Sequence, residues 1–178
     1  MCELKPSFLT GCVELQPAVH ADNRGYFVKT VHADWFAAHG LRSDFAESFY
    51  SASRAGVLRG LHFQRPPHDH AKLVYCIQGA VLDVAVDLRK NSATFGKHDI
   101  VKLDSAKGNL LYIPSGFAHG FFAAEDALMM YHVTSVHAPA ADAGIRWDSA
   151  GIPWPVTQPV ISARDAGLPL LAEFNSPF

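Results

Sequence analysis

The densest concentration of reactive side chains lies in residues 56–74, GVLRGLHFQRPPHDHAKLV, which gathers Arg59, His62, His68, His70 and Lys72 among two glycines and two prolines. Glycine and proline fix backbone turns, so these polar side chains leave the chain in defined directions. One chemistry that fits them is proton transfer beside a ketone. It needs a base that titrates near neutral pH, a group to hold the charge of the developing enolate oxygen, and an acid to return the proton. Histidine suits the first role, and a lysine or second histidine the second, where charge appears only as the reaction proceeds. Tyrosine suits the third. His62, Lys72, His119 and Tyr131 supply these types.

A metal site is the competing chemistry. His68-Asp69-His70 forms an His-x-His pair, and Gly108, Pro114, Gly116 and His119 stand at the Gly-x5-Pro-x-Gly-x2-His spacing of the second cupin motif. Three imidazoles, His68, His70 and His119, would suit a transition metal in a barrel mouth. A metal-binding cupin also needs a carboxylate a few residues after the pair, and AKLVYCIQG has none. Lys72 occupies that stretch and would repel a cation, so no metal or other cofactor is expected.

Most of the 10 histidines need no such role. His20, His32, His39 and His98 read as structural residues, and His68 and His70, in a proline-flanked loop, read as solvated. Asp83 reads as a structural hydrogen-bonding residue. Trp147 and Trp154 are expected to cover apolar surface at the end of the fold.

The elements that must position these groups are short strands. GCVELQPAV, GYFVKTV, KLVYCIQGAVLDVAVDLRK, HDIVKLD, NLLYIPSG, HGFFA and LMMYHVTSVHAP are apolar runs separated by Gly, Pro, Asn and Asp. In VLDVAVDL the residues alternate, with Val81, Asp83, Ala85 and Asp87 on one face and Leu82, Val84, Val86 and Leu88 on the other. The Gln78-Gly79 step predicts a tight hairpin. ADWFAAHG predicts the one early helix, about two turns long and stopped by Gly40. The tail, residues 156–178, is expected to fold back onto the barrel with one further strand, PVISA. Many strands and little helix predict an all-β, cupin-type double-sheet jelly roll or barrel with a few short helices, forming one domain over residues 1–178.

Composition narrows the function. Of 178 residues, 49% are hydrophobic and 18% charged, an ordinary globular balance. The formal charge of −2 offers no broad basic field for nucleic acid, so a phosphate-bearing ligand must meet a local basic cluster. The three cysteines, Cys2, Cys12 and Cys76, have no zinc-site spacing and cannot all pair, which fits a reducing compartment. Neither a signal-length apolar start nor a run of about 18 apolar residues occurs, so a soluble cytoplasmic protein is expected.

The chain resembles the dTDP-4-dehydrorhamnose 3,5-epimerase family. DNRGYF (22–27), GVLRGLHFQ (56–64), KLVYCIQGAVLDVAVDLRKNSATFGK (72–97), LLYIPSGFAHGF (110–121), YHVT (131–134), GIRWD (144–148) and GIPWP (151–155) occur in the family's order. The resemblance implies an isomerase, free of metal and cofactor, that epimerises C3 or C5, or both, of a nucleotide-linked 4-keto-6-deoxy sugar. It implies that His62 is the base, oriented by Asp165, that Lys72 stabilises the enolate, and that Tyr131 returns the proton from the opposite face. Arg59 and His119 match ligand-binding positions, Arg24 matches an arginine that reaches the diphosphate, and Asp142 is a further candidate substrate contact. A homodimer with exchanged N-terminal strands is also implied, which would let Arg24 serve the neighbouring subunit.

Several ligand-facing positions depart from the family pattern. Lys29 replaces a glutamate, Glu47 and Phe49 replace glutamine and asparagine, and Val136-His137 replace a pair of tyrosines. An ammonium in place of a carboxylate reverses the hydrogen-bonding sense of the pocket, which predicts a base such as cytosine in place of thymine and a sugar outside the rhamnose route. The alternatives are a 3,4-ketoisomerase using the same enolate chemistry, a metal-dependent cupin enzyme, and a non-catalytic sugar-nucleotide binder. Retention of His62, Lys72 and Tyr131 together argues against the last.

Overall fold

The computed structural model describes residues 2–178. Thirteen strands are found among them: β1 Glu3–Pro6, β2 Val13–Gln16, β3 Val19–Asp22, β4 Gly25–Val28, β5 Glu47–Ser53, β6 Leu58–Gln64, β7 Lys72–Gln78, β8 Ala80–Asp87, β9 His98–Asp104, β10 Leu110–Ile113, β11 Phe117–Ala123, β12 Ala127–Val133 and β13 Asp142–Gly144. A six-stranded sheet in the order β1-β2-β10-β7-β12-β5 faces a five-stranded sheet in the order β13-β6-β11-β8-β9, and β3 and β4 form a separate hairpin. The result is the expected double-sheet jelly roll. Its core lies between the sheets, where Val74, Cys76 and Met129 of one meet Val81, Ala85, Leu103 and Phe121 of the other.

The alternation in β8 is present, but it does not separate core from solvent. Asp83 and Asp87 point inward and are fully buried, while Val84, Val86 and Leu88 on the outer face are covered by Ile145, Ile152, Phe174 and Phe178. The tail therefore supplies a second apolar layer over the five-stranded sheet. Trp154 joins this layer, and its indole N–H donates to the Trp147 carbonyl at 2.9 Å.

Two local expectations need correction. Gln78-Gly79 does not close a hairpin, because β7 and β8 belong to different sheets. Gly79, at φ 74°, turns the chain around the barrel edge, and a Cβ there would collide with the Asp126 carbonyl. PVISA contributes no strand, only a bridge between Val160 and Val57. The helix α1, Ala33–Ala38, forms where expected. His32 caps its start through Nδ1, and the chain leaves it through Gly40 at φ 69°.

Candidate active site

A cavity of about 640 Å³ opens between the two sheets. β6 supplies one wall, and a bulge in that strand sets the wall's direction. His119 pairs with His62 and Phe121 pairs with Arg59, so β6 carries one extra residue against β11. Gly60 sits at this bulge with φ 134°, and a Cβ on it would lie 2.7 Å from the Gly120 Cα. Only glycine fits there. The bulge turns the Gly60 N–H and the His62 side chain toward the same carboxylate.

That carboxylate is Asp165. Ser162 caps a short helix, α2 (Ala163–Ala166), by accepting the Asp165 N–H at 3.0 Å. Asp165 Oδ1 then lies 2.8 Å from His62 Nε2, and Oδ2 accepts the Gly60 N–H at 3.1 Å. Burial raises the cost of charge on Asp165, but hydrogen bonds from His62 and Gly60 outweigh it and hold the carboxyl below its ordinary pKa. An ionised Asp165 assigns the His62 proton to Nε2 and leaves Nδ1 as the basic nitrogen. The His62 side chain is 28% exposed, enough for a ligand to reach it.

Lys72 lies at the start of β7, and its Nζ donates to the His62 carbonyl at 3.1 Å. Burial pulls its pKa down to about 8, against the opposing charges of Asp83 and Asp142. His119 is buried, and its Nε2 faces both oxygens of Asp83, at 3.0 and 2.9 Å. Burial lowers the His119 pKa and outweighs the raising effect of Asp83. A neutral ring donating Nε2–H to Asp83 has Nδ1 left as an acceptor.

Tyr131 comes from β12 in the opposite sheet. Its hydroxyl lies 3.1 Å from Ser51 Oγ, and its ring stacks on Phe49 with centroids 4.8 Å apart. Burial raises the phenol pKa, so the group is protonated at neutral pH. Arg59 is tied down by Nε donating to Ser53 Oγ at 2.9 Å and by a second bond to the Ala52 carbonyl.

The cavity therefore brings together His62, Lys72, Asp165, Tyr131, Arg59 and His119. Glu47, Phe49 and Asp142 line it as well, with Asp142 paired to Arg164 at 2.7 Å. Glu47 accepts the His137 N–H at 2.7 Å, so two of the departures from the family pattern are bonded to each other at the rim. Two expected site residues are absent from this wall. Arg24 is solvent-exposed on the β3–β4 hairpin and pairs with Asp22, and Lys29 lines a separate cavity of about 390 Å³ beside α1. A hairpin that stands off its own barrel cannot deliver a side chain into that barrel.

His68 is exposed, whereas His70 is not solvated as expected. It is half-buried against Gln64 and Ser135, and burial lowers its pKa to about 3. With His119 committed to Asp83, these three imidazoles do not converge, and among the described residues no group of three or more His, Cys, Asp or Glu is placed to hold a metal. Sequence reasoning missed Ser51, Ser53 and Arg164 as neighbours of the site, and gave Asp83 no link to His119. The Ser162-x-x-Asp165 spacing of a helix start was the one available signal for how Asp165 is held.

A family model described as dTDP-4-dehydrorhamnose 3,5-epimerase matches residues 6–173. The curated dTDP-4-dehydrorhamnose 3,5-epimerase of Methanothermobacter thermautotrophicus is 44% identical over 163 residues, covering 88% of each chain. The crystal structure of the Bacillus anthracis dTDP-4-dehydrorhamnose 3,5-epimerase with TDP and PPi bound superposes with a TM-score of 0.92 at 36% identity, covering 96% of this chain and 99% of that one. The Legionella pneumophila 3,5-epimerase, solved in complex with dTDP-4-keto-L-rhamnose, gives a TM-score of 0.94 at 32% identity, covering 98% and 95%.

Proposed function

The chain belongs to the dTDP-4-dehydrorhamnose 3,5-epimerase family, and on that premise we propose how its own residues invert a sugar carbon beside a ketone. It is an epimerase of the isomerase class, acting on C3 or C5, or both, of a nucleotide-linked 4-keto-6-deoxy sugar in deoxysugar biosynthesis. The observation that carries the mechanism is His62 on one sheet, paired with Asp165 of α2, with protonated Tyr131 on the sheet opposite.

The C4 ketone acidifies the adjacent C–H bonds. His62 Nδ1 removes one proton, and Asp165 stabilises the imidazolium that results. The electron pair moves to the C4 oxygen, where the Lys72 ammonium meets the new charge in a largely desolvated site. Tyr131 donates to the carbon from the other wall, which inverts it. His119, through its free Nδ1, is suited to accept a sugar hydroxyl, and Arg59 is suited to the diphosphate because its planar fork matches phosphate oxygens.

Thymidine diphosphate is the nucleotide we assign, because solved relatives hold TDP or a dTDP sugar. A cytoplasmic homodimer is the setting we infer. Three unpaired thiols support the compartment. The hairpin supports the dimer, since Tyr26 and Phe27 are 63% and 60% exposed and Arg24 is not among the residues that line its own chain's cavity. Among the described residues, no helix is long and apolar enough to cross a membrane.

The test is NMR of dTDP-4-keto-6-deoxyglucose with the protein in deuterated water. Deuterium at C3 or C5 with inversion is expected. Migration of the carbonyl to C3 would instead assign ketoisomerase chemistry.

A further inference from the structure

The residues of β5 that alternate toward the barrel interior each engage a different part of the site. Glu47 accepts the His137 N–H, Phe49 stacks on the Tyr131 ring, Ser51 meets the Tyr131 hydroxyl, and Ser53 accepts from Arg59. β5 is the last strand of its sheet, and Phe49 stands directly across from Tyr131 in the β5–β12 ladder. The two rings are nearly parallel, at 14°. Tyr131 is 7% exposed and Phe49 44%, so Phe49 is the member of the stack that faces solvent.

We propose that Phe49 and Ser51 are positioning residues for Tyr131, the ring stack fixing the plane of the phenol and the serine hydroxyl fixing and replenishing its proton. This rests on Tyr131 being the acid that returns the proton. A phenol pinned at both its face and its oxygen has little freedom to turn away, so its O–H holds one approach to the sugar. Covering the ring also keeps water from that wall of the cavity.

The proton balance closes without a further reactant. The C–H bond breaks, its proton goes to His62, and the pair enters the enolate. The Tyr131 O–H then breaks, its proton forms the new C–H bond, the ketone is restored, and a phenolate remains. Ser51 passes its proton to the phenolate and takes one from solvent, while His62 releases its own to solvent. Nothing is oxidised or reduced.

An enolate that Tyr131 fails to quench can recover a proton from His62 on the original face. Once His62 has exchanged that proton for a solvent deuteron, the return leaves deuterium at C3 or C5 with retained configuration, whereas Tyr131 delivery leaves it inverted. The ratio of the two reads positioning alone and does not depend on how much of a variant is folded. For Ser51→Ala and Phe49→Ala with dTDP-4-keto-6-deoxyglucose, the retained-to-inverted ratio should rise about tenfold or more, within the range by which a positioned acid accelerates proton transfer. Ser51→Thr and Phe49→Tyr, which keep the hydroxyl and the stack, should return the ratio to near the wild-type value. A ratio unchanged in both alanine variants, whatever their overall rates, would overturn the proposal while leaving the His62 mechanism standing. Absence of any deuterium incorporation by the wild-type enzyme would instead sink the parent reading and this one with it.

Discussion

Replacing Lys72 with methionine should make the protein more stable and much less active. The Lys72 pKa falls from the ordinary 10.5 to about 8 on folding. At about 1.4 kcal/mol per pH unit, keeping that ammonium charged in the folded state costs roughly 3 kcal/mol near neutral pH. Methionine matches the side-chain length without the charge. It also abandons the hydrogen bond to the His62 carbonyl, and a buried acceptor left alone costs about 1–2 kcal/mol. The net gain expected for Lys72→Met is about 1–2 kcal/mol at pH 7, a rise of a few degrees in Tm for a domain of this size. The gain has a defined pH dependence. Below pH 8 both folded and unfolded wild-type chains hold the lysine proton, and the penalty is fully present. Between about 8 and 10.5 only the unfolded chain holds it, so wild-type stability climbs with pH and the advantage of the variant shrinks. Urea unfolding of both proteins at equal concentration across pH 7–11 measures this difference. Turnover should fall by about 10²–10³, the usual cost of removing one group that stabilises developing negative charge. A variant no more stable than wild type at pH 7, with a gap that stays flat from pH 8 to 10.5, would refute the claim of a desolvated ammonium. Turnover within a few-fold of wild type would remove Lys72 from enolate stabilisation.

Wild-type kcat should fall as pH rises through about 8, because the enolate then loses its cation. A profile of kcat from pH 6 to 10 checks this, and a flat profile to pH 10 would contradict it. Asp165→Asn should lower turnover by about 10²–10⁴ while nucleotide affinity, read by calorimetry with dTDP, changes little, since Asp165 orients His62 and does not reach for the diphosphate. Equal losses in turnover and affinity would make Asp165 a binding residue. Tyr131→Phe should suppress inversion far more than incorporation of deuterium with retained configuration, and equal loss of both would deny it the role of returning acid.

The barrel was legible because its outward and inward apolar runs are short, period-two and separated by turn residues. The apolar strands β7 to β10 fall within the runs read from sequence, and β11 and β12 begin shortly before theirs, at Phe117 and Ala127. β5 was harder to see, because ESFYSAS turns polar residues inward to line a cavity and not a core. Asp83 and Asp87 show the same effect. Their alternation was visible, yet the burial of Asp83 follows from a partner distant in sequence, His119, while Asp87 is held by Arg89, Ser92 and Thr94 in the turn just after it. His62, Lys72 and Tyr131 carry chemistry that their residue types announce. Asp165 meets His62 across 103 residues of chain, and no local pattern predicts so distant a contact. The expectation that Lys29 redefines the base contact came from its position in a matched segment. Within its own chain Lys29 lines a separate cavity beside α1.

Removal of the proton from carbon falls to His62. Replacing it with asparagine keeps a hydrogen-bonding side chain beside Asp165 while removing the basic nitrogen. The measurement is NMR of dTDP-4-keto-6-deoxyglucose in deuterated water with His62→Asn, alongside dTDP binding by calorimetry. Deuterium should fail to enter C3 and C5 above background while dTDP affinity stays within a few-fold of wild type. Exchange at the wild-type rate in a variant that binds dTDP normally would place the base elsewhere.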